Sequence, residues 1–219
     1  MLRLHGFAVS NYYNMVHLAL LEKGLAFETV EVYGSQSEEF LAISPRGKVP
    51  VLQTEHGYLS ETGAILDYLE DLGQGRPLLP AEPFARAQVR ALMREIELYI
   101  ELPARSCYAE AFFRMPVDAA IKDKARGELM AGIATLKRHG RFAPYVAGER
   151  FGLADLYFLY SLDLAEVVAQ RLFGLDLLEG FPAARALLER LQQNPHVQMI
   201  AAQKEAGMAE FMAHLRSKA

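Results

Sequence analysis

The sequence predicts an α/β domain with the element order βαβ-ββα, followed by an all-α domain. The chain has 219 residues, more than the commonest single domain of roughly 100 to 150 residues. Strand patterns occur only in its first third, and the segment from Leu78 to Pro83, which contains two prolines, separates that part from a helical remainder. We therefore place the first domain at 1–78, a linker at 79–84 and the helical domain at 85–219.

Short runs of alternating or β-branched apolar residues predict four strands in the first domain. Apolar residues at helical spacing predict a helix between the first two strands, which ends at Lys23 and Gly24 with a cation and then a glycine. A second helix begins near Thr62 and ends at Gly73. The predicted strands comprise residues 2–5, 26–32, 49–53 and 57–60.

The second domain shows helical periodicity throughout. A long helix is predicted from 84 to about 113, with a kink at Pro103 because proline has no N–H to donate. The apolar spacing that begins at Leu153 predicts the central helix of the domain. The other predicted helices comprise residues 117–141, 182–193 and 195–214.

Composition excludes several classes of function. The net charge is −4 and no run of basic residues occurs, which argues against a nucleic-acid partner. Cys107 is the single cysteine, so we expect neither an intramolecular disulfide nor a cysteine-based zinc site, as suits a reducing cytoplasm. The six histidines are widely spaced, which predicts no metal site.

The chain also lacks the signals of secretion or membrane insertion. Its first residues have no basic start followed by an apolar stretch, so we expect no signal peptide. The most apolar stretch, Leu153 to Ala169, is interrupted by three acidic residues and does not predict a membrane span. We expect a cytoplasmic protein without a membrane partner.

Three motifs resemble those of the cytosolic glutathione S-transferase family, in its serine-type, bacterial-like form. They are KVPVL at 48–52, SETGAILDYL at 60–69 and FGLAD at 151–155. The resemblance extends over nearly the whole chain. It implies a thioredoxin-like first domain that binds glutathione as substrate and a helical domain that lines the second-substrate site. It also implies a homodimer with a role in detoxification.

Val49 and Pro50 are the first candidates for glutathione binding. Because proline restricts the preceding residue to extended conformations, Val49 can offer its N–H and C=O to a peptide-like ligand, as in strand addition. The family resemblance implies a cis bond between the two residues. The alternative is a proline that merely begins a strand.

Glu61 and Thr62 are candidates for the γ-glutamyl end of glutathione. Thr62 is predicted as the N-cap of a helix without a capping box, so free N–H groups could bind a carboxylate while Glu61 accepts an ammonium group. An ordinary cap beside a solvated acid is the alternative. Some relatives carry an arginine where Gly63 stands, so Lys48 and Arg46 are candidates for binding the other carboxylate.

Ser10, at the predicted start of the first helix, is the candidate catalytic residue. A thiol with a pKa near 8.5 is only about 3% ionised at neutral pH, so a transferase must stabilise the thiolate. A serine hydroxyl and the helix dipole can both do so. Phe7 stands where some relatives carry a tyrosine and cannot donate. Plain N-capping by Ser10, or donation by Tyr12 or Tyr13, remains open.

Three functions follow from these residues. The first is a transferase that activates glutathione for attack on a small, hydrophobic electrophile. The second is a binding or regulatory protein of the same fold without useful turnover, because fold alone does not determine function. The third is a glutathione-dependent isomerase of the maleylacetoacetate type, which is disfavoured because Asn14 and Met15 stand where such relatives carry an arginine.

Two features of the helical domain are predicted from local sequence. Phe151 and Leu156 can form a hydrophobic staple around Gly152 and Asp155, although the family more often has Ser or Thr where Gly152 stands. Cys107 on the long helix could face the second-substrate pocket. A buried structural thiol is the alternative, since free cysteine is commonly a core residue.

Overall fold

The computed structural model describes residues 1–217, and they form two compact units. The first unit contains residues 1–78 and the chain from Gln192 onward, and the second contains Leu79–Leu191. The boundary at Leu78 coincides with the predicted end of the first domain. The chain from Gln192 onward, however, packs with the first unit, whereas the sequence pattern had placed it with the other helices. Local periodicity cannot reveal which unit an amphipathic helix packs against.

The first unit is built on a mixed four-stranded sheet with the order β2-β1-β3-β4. Strand β1 pairs parallel with β2 and antiparallel with β3, which pairs antiparallel with β4. The predicted βαβ-ββα order is therefore confirmed, with a short extra helix before β3. The elements are β1 (Leu2–Gly6), α1 (Asn11–Lys23), β2 (Phe27–Glu31), α2 (Glu38–Leu41), β3 (Val51–Thr54), β4 (Gly57–Ser60) and α3 (Thr62–Asp71).

Helix α1 lies in the core of this unit and has the ends that the sequence predicts. Ser10 is its N-cap, and Gly24 takes the left-handed conformation at its C-terminus, with φ 67°. The ammonium group of Lys23 is buried and donates to Glu70 Oε1 at 2.7 Å and to the Arg76 carbonyl at 3.1 Å. A buried cation requires such partners, since an unpaired one would carry a large desolvation cost. This contact joins the end of α1 to α3.

The last helix, α10 (Pro195–Ser217), packs against α1. Val197 and Ile200 are buried on its inner face. At its N-terminus, Asn194 Nδ2 donates to Glu22 Oε1 at 2.7 Å, and His196 Nδ1 lies 3.1 Å from the same oxygen. A carboxylate on α1 thus holds the first turn of α10.

The second unit consists of helices. The predicted long helix from 84 to 113 is not continuous, because a π-helical turn occupies Glu97–Glu101 and a further break follows at Ser106 and Cys107. The Leu102 N–H reaches back five residues to the Glu97 carbonyl, directly before Pro103, which has no N–H to donate. The helices are α4 (Pro83–Ile96), α5 (Leu102–Arg105), α6 (Tyr108–Phe113), α7 (Ala119–His139), α8 (Leu153–Phe173) and α9 (Pro182–Gln192). Helix α4 begins inside the predicted linker.

Helix α8 is the central helix of this unit, as predicted, and most of its residues are buried. The Asp155 carboxyl, 1% exposed, accepts the Gly152 N–H at 2.8 Å and the Val146 N–H at 2.9 Å. Burial raises the pKa of this carboxyl to about 7, although the N–H donors act in the opposite direction. Because Gly152 has no side chain, it supplies no cap of its own.

Cys107 lies at the break between α5 and α6. The Cys107 thiol is completely buried and lies 3.7 Å from Ser106 Oγ, which agrees with a structural thiol. Within residues 1–217, none of the helices combines the length and the apolar character that crossing a membrane requires.

Candidate active site

The sheet register brings three predicted site segments to one edge of the first unit. Val51 pairs with His5 on one side and with Ser60 on the other. The C-terminal end of β1, the N-terminal end of β3 and the C-terminal end of β4 therefore lie side by side. The segments that carry Ser10, Val49 and Glu61 all leave the sheet at this edge.

Ser10 is held in place by backbone contacts on both sides. Its N–H donates to the Phe7 carbonyl at 3.0 Å, and its own carbonyl accepts the Asn14 N–H at 3.0 Å. Its Oγ accepts the Tyr13 N–H at 3.3 Å, as in an N-cap. The side chain is only partly buried. The predicted cap is thus confirmed, and the hydroxyl lies at the positive end of α1.

The cap and a catalytic role of Ser10 are compatible. A hydroxyl has two acceptor lone pairs and one O–H donor. The contact with Tyr13 uses a lone pair, so the hydroxyl proton can still be given to an acceptor such as sulfur. Accepting an N–H bond also polarises the hydroxyl and makes it a better donor. Plain capping is therefore not an alternative that excludes catalysis.

The two neighbouring tyrosines differ in their surroundings. Tyr13 is buried against Gly6, where a Cβ would come within 2.4 Å of the Tyr13 ring, and against His17. Burial and the charge of Glu31 raise the pKa of Tyr13 to about 12, so this phenol stays protonated at neutral pH. Tyr12 is partly exposed. Of the two, Tyr12 has the more accessible side chain.

Val49 lies two residues before β3, whose ladder begins at Val51. Its N–H and C=O are therefore outside the ladder, and the Val49–Pro50 bond is cis, as the resemblance implied. The buried Ser44 side chain fixes Lys48, the residue before Val49. Its Oγ accepts the Lys48 N–H at 3.1 Å and donates to the Lys48 carbonyl at 2.7 Å. Sequence reasoning missed Ser44, since no local pattern marks this contact.

The start of α3 differs by one residue from the prediction that Thr62 is its N-cap. Glu61 is the N-cap, with φ 69° and ψ 116°, and its carbonyl accepts the Ile65 N–H. Thr62 is instead the first helical residue and is buried. The prediction failed because Glu61 leaves the helix through a positive φ, which a sequence pattern does not show. The Glu61 side chain makes no capping hydrogen bond to the helix, and Gly63 follows in the first turn.

The charged candidates at this edge point toward solvent. Glu61, Lys48 and Arg46 are exposed, so they can reach a ligand without first leaving a buried contact. Gln36 Nε2 donates to the Arg46 carbonyl at 3.4 Å and steadies the loop that carries both cations. Among residues 1–217, no group of three His, Cys, Asp or Glu side chains is arranged to hold a metal ion.

An aromatic cluster from α10 covers part of the same edge. The Phe211 ring stacks on Phe7, with centroids 5.2 Å apart, and the His214 ring stacks on Tyr33 at 3.9 Å. Phe7 and Tyr33 are themselves 4.8 Å apart. We call Phe7, Tyr33, Phe211 and His214 the aromatic cluster. No local sequence pattern marks this cluster, because its two halves are about two hundred residues apart in the chain.

Comparison with known families agrees with this architecture. The family model of the glutathione S-transferase N-terminal domain matches residues 4–77, and that of the C-terminal domain matches residues 118–190. The chain belongs to the glutathione S-transferase family. The resemblance inferred from the motifs at 48–52, 60–69 and 151–155 is therefore confirmed.

Individual relatives support the glutathione S-transferase assignment. A protein named glutathione S-transferase from Pseudomonas putida F1 is 62% identical over 217 residues, which cover 99% of each chain. The crystal structure of a maleylacetoacetate isomerase from Methylobacterium extorquens AM1 with bound malonate and GSH has a TM-score of 0.70 at 29% identity, covering 90% of this chain and 95% of that one. Glutathione transferase F2 from Populus trichocarpa has a TM-score of 0.80 at 19% identity, covering 94% and 100%. At that identity the poplar structure supports the fold alone.

Proposed function

We propose that this protein is a glutathione transferase in which Ser10 stabilises the thiolate of glutathione for attack on a small electrophile. The observation that carries the proposal is the position of Ser10. Its hydroxyl caps α1 and keeps its proton for donation, on the same sheet edge as Val49 and Glu61. The 62% identical relative named glutathione S-transferase supports the same activity.

The energy that thiolate formation needs is within the reach of these groups. Lowering a thiol pKa by two units requires roughly 2.7 kcal/mol. A hydrogen bond to a charged group contributes about 1.5 to 3 kcal/mol, and a helix N-terminus contributes about 0.3 to 1 kcal/mol. Ser10 and the dipole of α1 together contribute about 1.8 to 4 kcal/mol, a range that includes the energy needed to ionise a bound thiol near neutral pH.

Glutathione itself is a tripeptide with an amino-acid head group, and the edge offers partners for both parts. Val49, outside the β3 ladder, can pair its backbone with the cysteinyl residue as an added strand. At α3, the first-turn N–H groups suit the γ-glutamyl carboxylate, and the exposed Glu61 carboxylate suits the ammonium group. Lys48 and Arg46 are the cations assigned to the remaining carboxylate.

The second substrate is an apolar electrophile in this proposal. The aromatic cluster lies beside the loop that carries Ser10, since Phe7 is three residues before Ser10. The rings of the cluster are only partly buried. Rings of this kind favour contact with apolar or planar molecules. The thiolate would attack the reactive carbon of the electrophile. The new carbon–sulfur bond forms as the bond to the leaving group breaks, and the product is a thioether of glutathione.

The test is the ionisation of glutathione bound to the protein. Thiolate absorbance is followed against pH, with turnover of an aryl halide electrophile measured in parallel. We expect ionisation near neutral pH, and we expect Ser10→Ala to lower turnover by about ten- to hundredfold with little change in glutathione affinity. Bound glutathione without a thiolate signal at neutral pH would instead support a non-catalytic binding or regulatory protein.

Tyr12→Phe and Tyr13→Phe are the matched controls, since each removes one phenolic donor and keeps the ring. Both should retain the thiolate signal. Loss of the signal in either variant, together with its retention in Ser10→Ala, would transfer the catalytic role to that tyrosine. The isomerase alternative is tested by adding maleylacetoacetate, which we expect not to be converted because Asn14 cannot supply the cationic charge of an arginine.

In this proposal the protein forms a homodimer, as the family resemblance implies. It acts in the cytoplasm, where it detoxifies reactive compounds. Helices of the segment 85–219 are assigned to the second-substrate site. Sedimentation at micromolar concentration tests the dimer. A single species with the mass of one chain, near 24.5 kDa, would remove this part of the proposal.

A further inference from the structure

The loop between β1 and α1 is held from beneath by a side chain that the proposed chemistry does not use. The Asn14 amide Nδ2 donates to the Ala8 carbonyl at 2.9 Å. Ala8 lies in the middle of the loop from Phe7 to Ser10, so this bond ties the loop to the first turns of α1. The contact spans six residues and is not part of the regular bonding of the helix.

Asn14 is an unusual residue for its position. It is 1% exposed, in a stretch of α1 where its neighbours Met15 and Val16 are completely buried apolar side chains. A buried amide costs free energy unless it is hydrogen-bonded, and asparagine is a poor helix former. Neither its burial nor its helix propensity favours it here. The bond to Ala8 is the contact that accounts for an amide at this position.

The chemistry of the contact fixes its direction. A backbone carbonyl can only accept, so the NH₂ group of Asn14 must face it. The Oδ1 atom accepts no hydrogen bond from the described part of the chain. An apolar side chain of similar size would fill the same space but would leave the Ala8 carbonyl without this donor.

The loop has other bonds, and they converge on Ser10. The Ser10 N–H donates to the Phe7 carbonyl, and Ser10 Oγ accepts the Tyr13 N–H at 3.3 Å, near the long end of the range for a hydrogen bond. The Ala8 carbonyl, held at 2.9 Å by Asn14, lies between Phe7 and Ser10, within the turn that the first of these bonds closes. Holding it limits rotation of the peptide units that lead into Ser10 and therefore the direction of the Ser10 hydroxyl.

We infer that Asn14 is a positioning residue for the thiolate-stabilising step. It holds the Ala8 carbonyl so that the Ser10 hydroxyl is directed at the glutathione sulfur, and it does not itself contact the substrate. This inference rests on the proposed function of Ser10. A small misplacement of a catalytic group is expected to lower the rate without a large loss of binding.

The test compares Asn14→Leu, which keeps the bulk and removes the donor, with the unmutated protein. We expect the pKa of bound glutathione to rise by about half a unit to one unit and turnover to fall by about three- to tenfold, as for loss of one neutral hydrogen bond. KM for glutathione should change by less than about twofold. If Asn14→Leu does not fold, Asn14→Ala is used for the same test, because alanine also lacks the amide donor and is too small to crowd the buried site.

Val16→Ala is the matched control. Val16 is fully buried on the same helix two residues later, and its truncation destabilises the core while the Asn14 carboxamide is kept. It should lower the melting temperature and leave the thiol pKa unchanged. Asn14→Gln, which keeps the carboxamide on a longer side chain, should retain more activity than Asn14→Leu.

The outcomes separate this inference from the function on which it rests. If the unmutated protein forms no thiolate with bound glutathione, the proposed function fails. If it forms the thiolate and Asn14→Leu or Asn14→Ala leaves the thiol pKa unchanged, only the role of Asn14 is overturned. An equal pKa shift in Val16→Ala would also overturn it, since a general weakening of α1 would then explain the effect.

Discussion

The Phe211 ring stacks on the Phe7 ring, with centroids 5.2 Å apart and planes inclined by 18°. This contact places α10 across the loop that leads to Ser10. A Cβ added at Gly207, one turn earlier, would lie 3.7 Å from the Ala8 Cβ, so the helix follows the loop closely over two turns. A molecule that approaches Ser10 from this side must pass the inner face of α10.

Phe211→Ala should therefore alter the use of the second substrate. Removal of the ring loses aromatic contacts worth about 0.5 to 1.5 kcal/mol, so we expect KM for an aryl electrophile to rise by about three- to tenfold. KM for glutathione should stay within about twofold. Met208→Ala is the control, because Met208 is an exposed side chain of the same helix. The same KM values for the aryl electrophile in the two variants would show that α10 does not shape the second-substrate site.

Glu61→Gln should weaken glutathione binding by about 1.5 to 3 kcal/mol, the size of a hydrogen bond to a charged group. Titration calorimetry is suitable, because the chain has no tryptophan whose fluorescence could report binding. Glu55→Gln is the control, since Glu55 is exposed at the opposite end of the β3–β4 hairpin. Unchanged affinity of Glu61→Gln would exclude this end of α3 as the ammonium site.

The backbone of Glu61 allows a sharper version of this test. A residue other than glycine at φ 69° is strained, at a cost of order 1 to 3 kcal/mol. Glu61→Gly should therefore raise the free energy of unfolding while it lowers glutathione affinity. Opposite effects of one substitution on stability and on binding are expected where strain is kept for function. A loss of both would mean that the Glu61 side chain supports the fold instead.

Asp155 should make stability depend on pH. Burial raises the pKa of its carboxyl from 3.8 to about 7 in the folded protein. Between pH 4 and pH 7 the folded protein keeps the Asp155 proton, whereas the unfolded chain has released it. The contribution of this protonated carboxyl to the free energy of unfolding is therefore full below about pH 4 and is lost as pH rises through 7. Relative to Asp155→Asn, the free energy of unfolding should fall by about 1 to 3 kcal/mol between pH 5 and pH 8.

Urea unfolding at the two pH values measures this difference, and Asp163→Asn is the control because Asp163 is exposed on the same helix. If the free energy of unfolding of the unmutated protein rises with pH relative to that of Asp155→Asn, the Val146 and Gly152 N–H groups outweigh burial and keep the carboxylate charged. Asp155→Ala should destabilise the protein at both pH values, since it removes the acceptor of both N–H groups.

Gly152→Ser should stabilise the protein by a few tenths of a kcal/mol, because serine is slightly better than glycine as an N-cap. The backbone at Gly152, with φ −160° and ψ −168°, is extended and accepts any side chain. Gly152→Ala, which lacks the capping oxygen, should instead be destabilising. The urea midpoints of both variants test the prediction, and a lower midpoint for Gly152→Ser would contradict it.

Features determined by neighbouring residues were predictable from the sequence. The ends of α1 at Ser10 and Gly24 follow from local capping chemistry, and the central position of α8 follows from its apolar spacing. The positive φ of Glu61 was not predictable, because a strained backbone is imposed by the surrounding fold. The contacts of Asn14 and Ser44 with backbone carbonyls were also missed, since such bonds depend on where a loop turns.

The packing of α10 on α1 within the first unit has a consequence for biosynthesis. Glu22 on α1 contacts Asn194 and His196, and Phe7 stacks on Phe211, so residues from Gln192 onward complete the first unit. A ribosome must therefore translate all of the second unit before the first can close. A nascent chain interrupted near residue 190 would expose the surface of α1 that α10 normally covers.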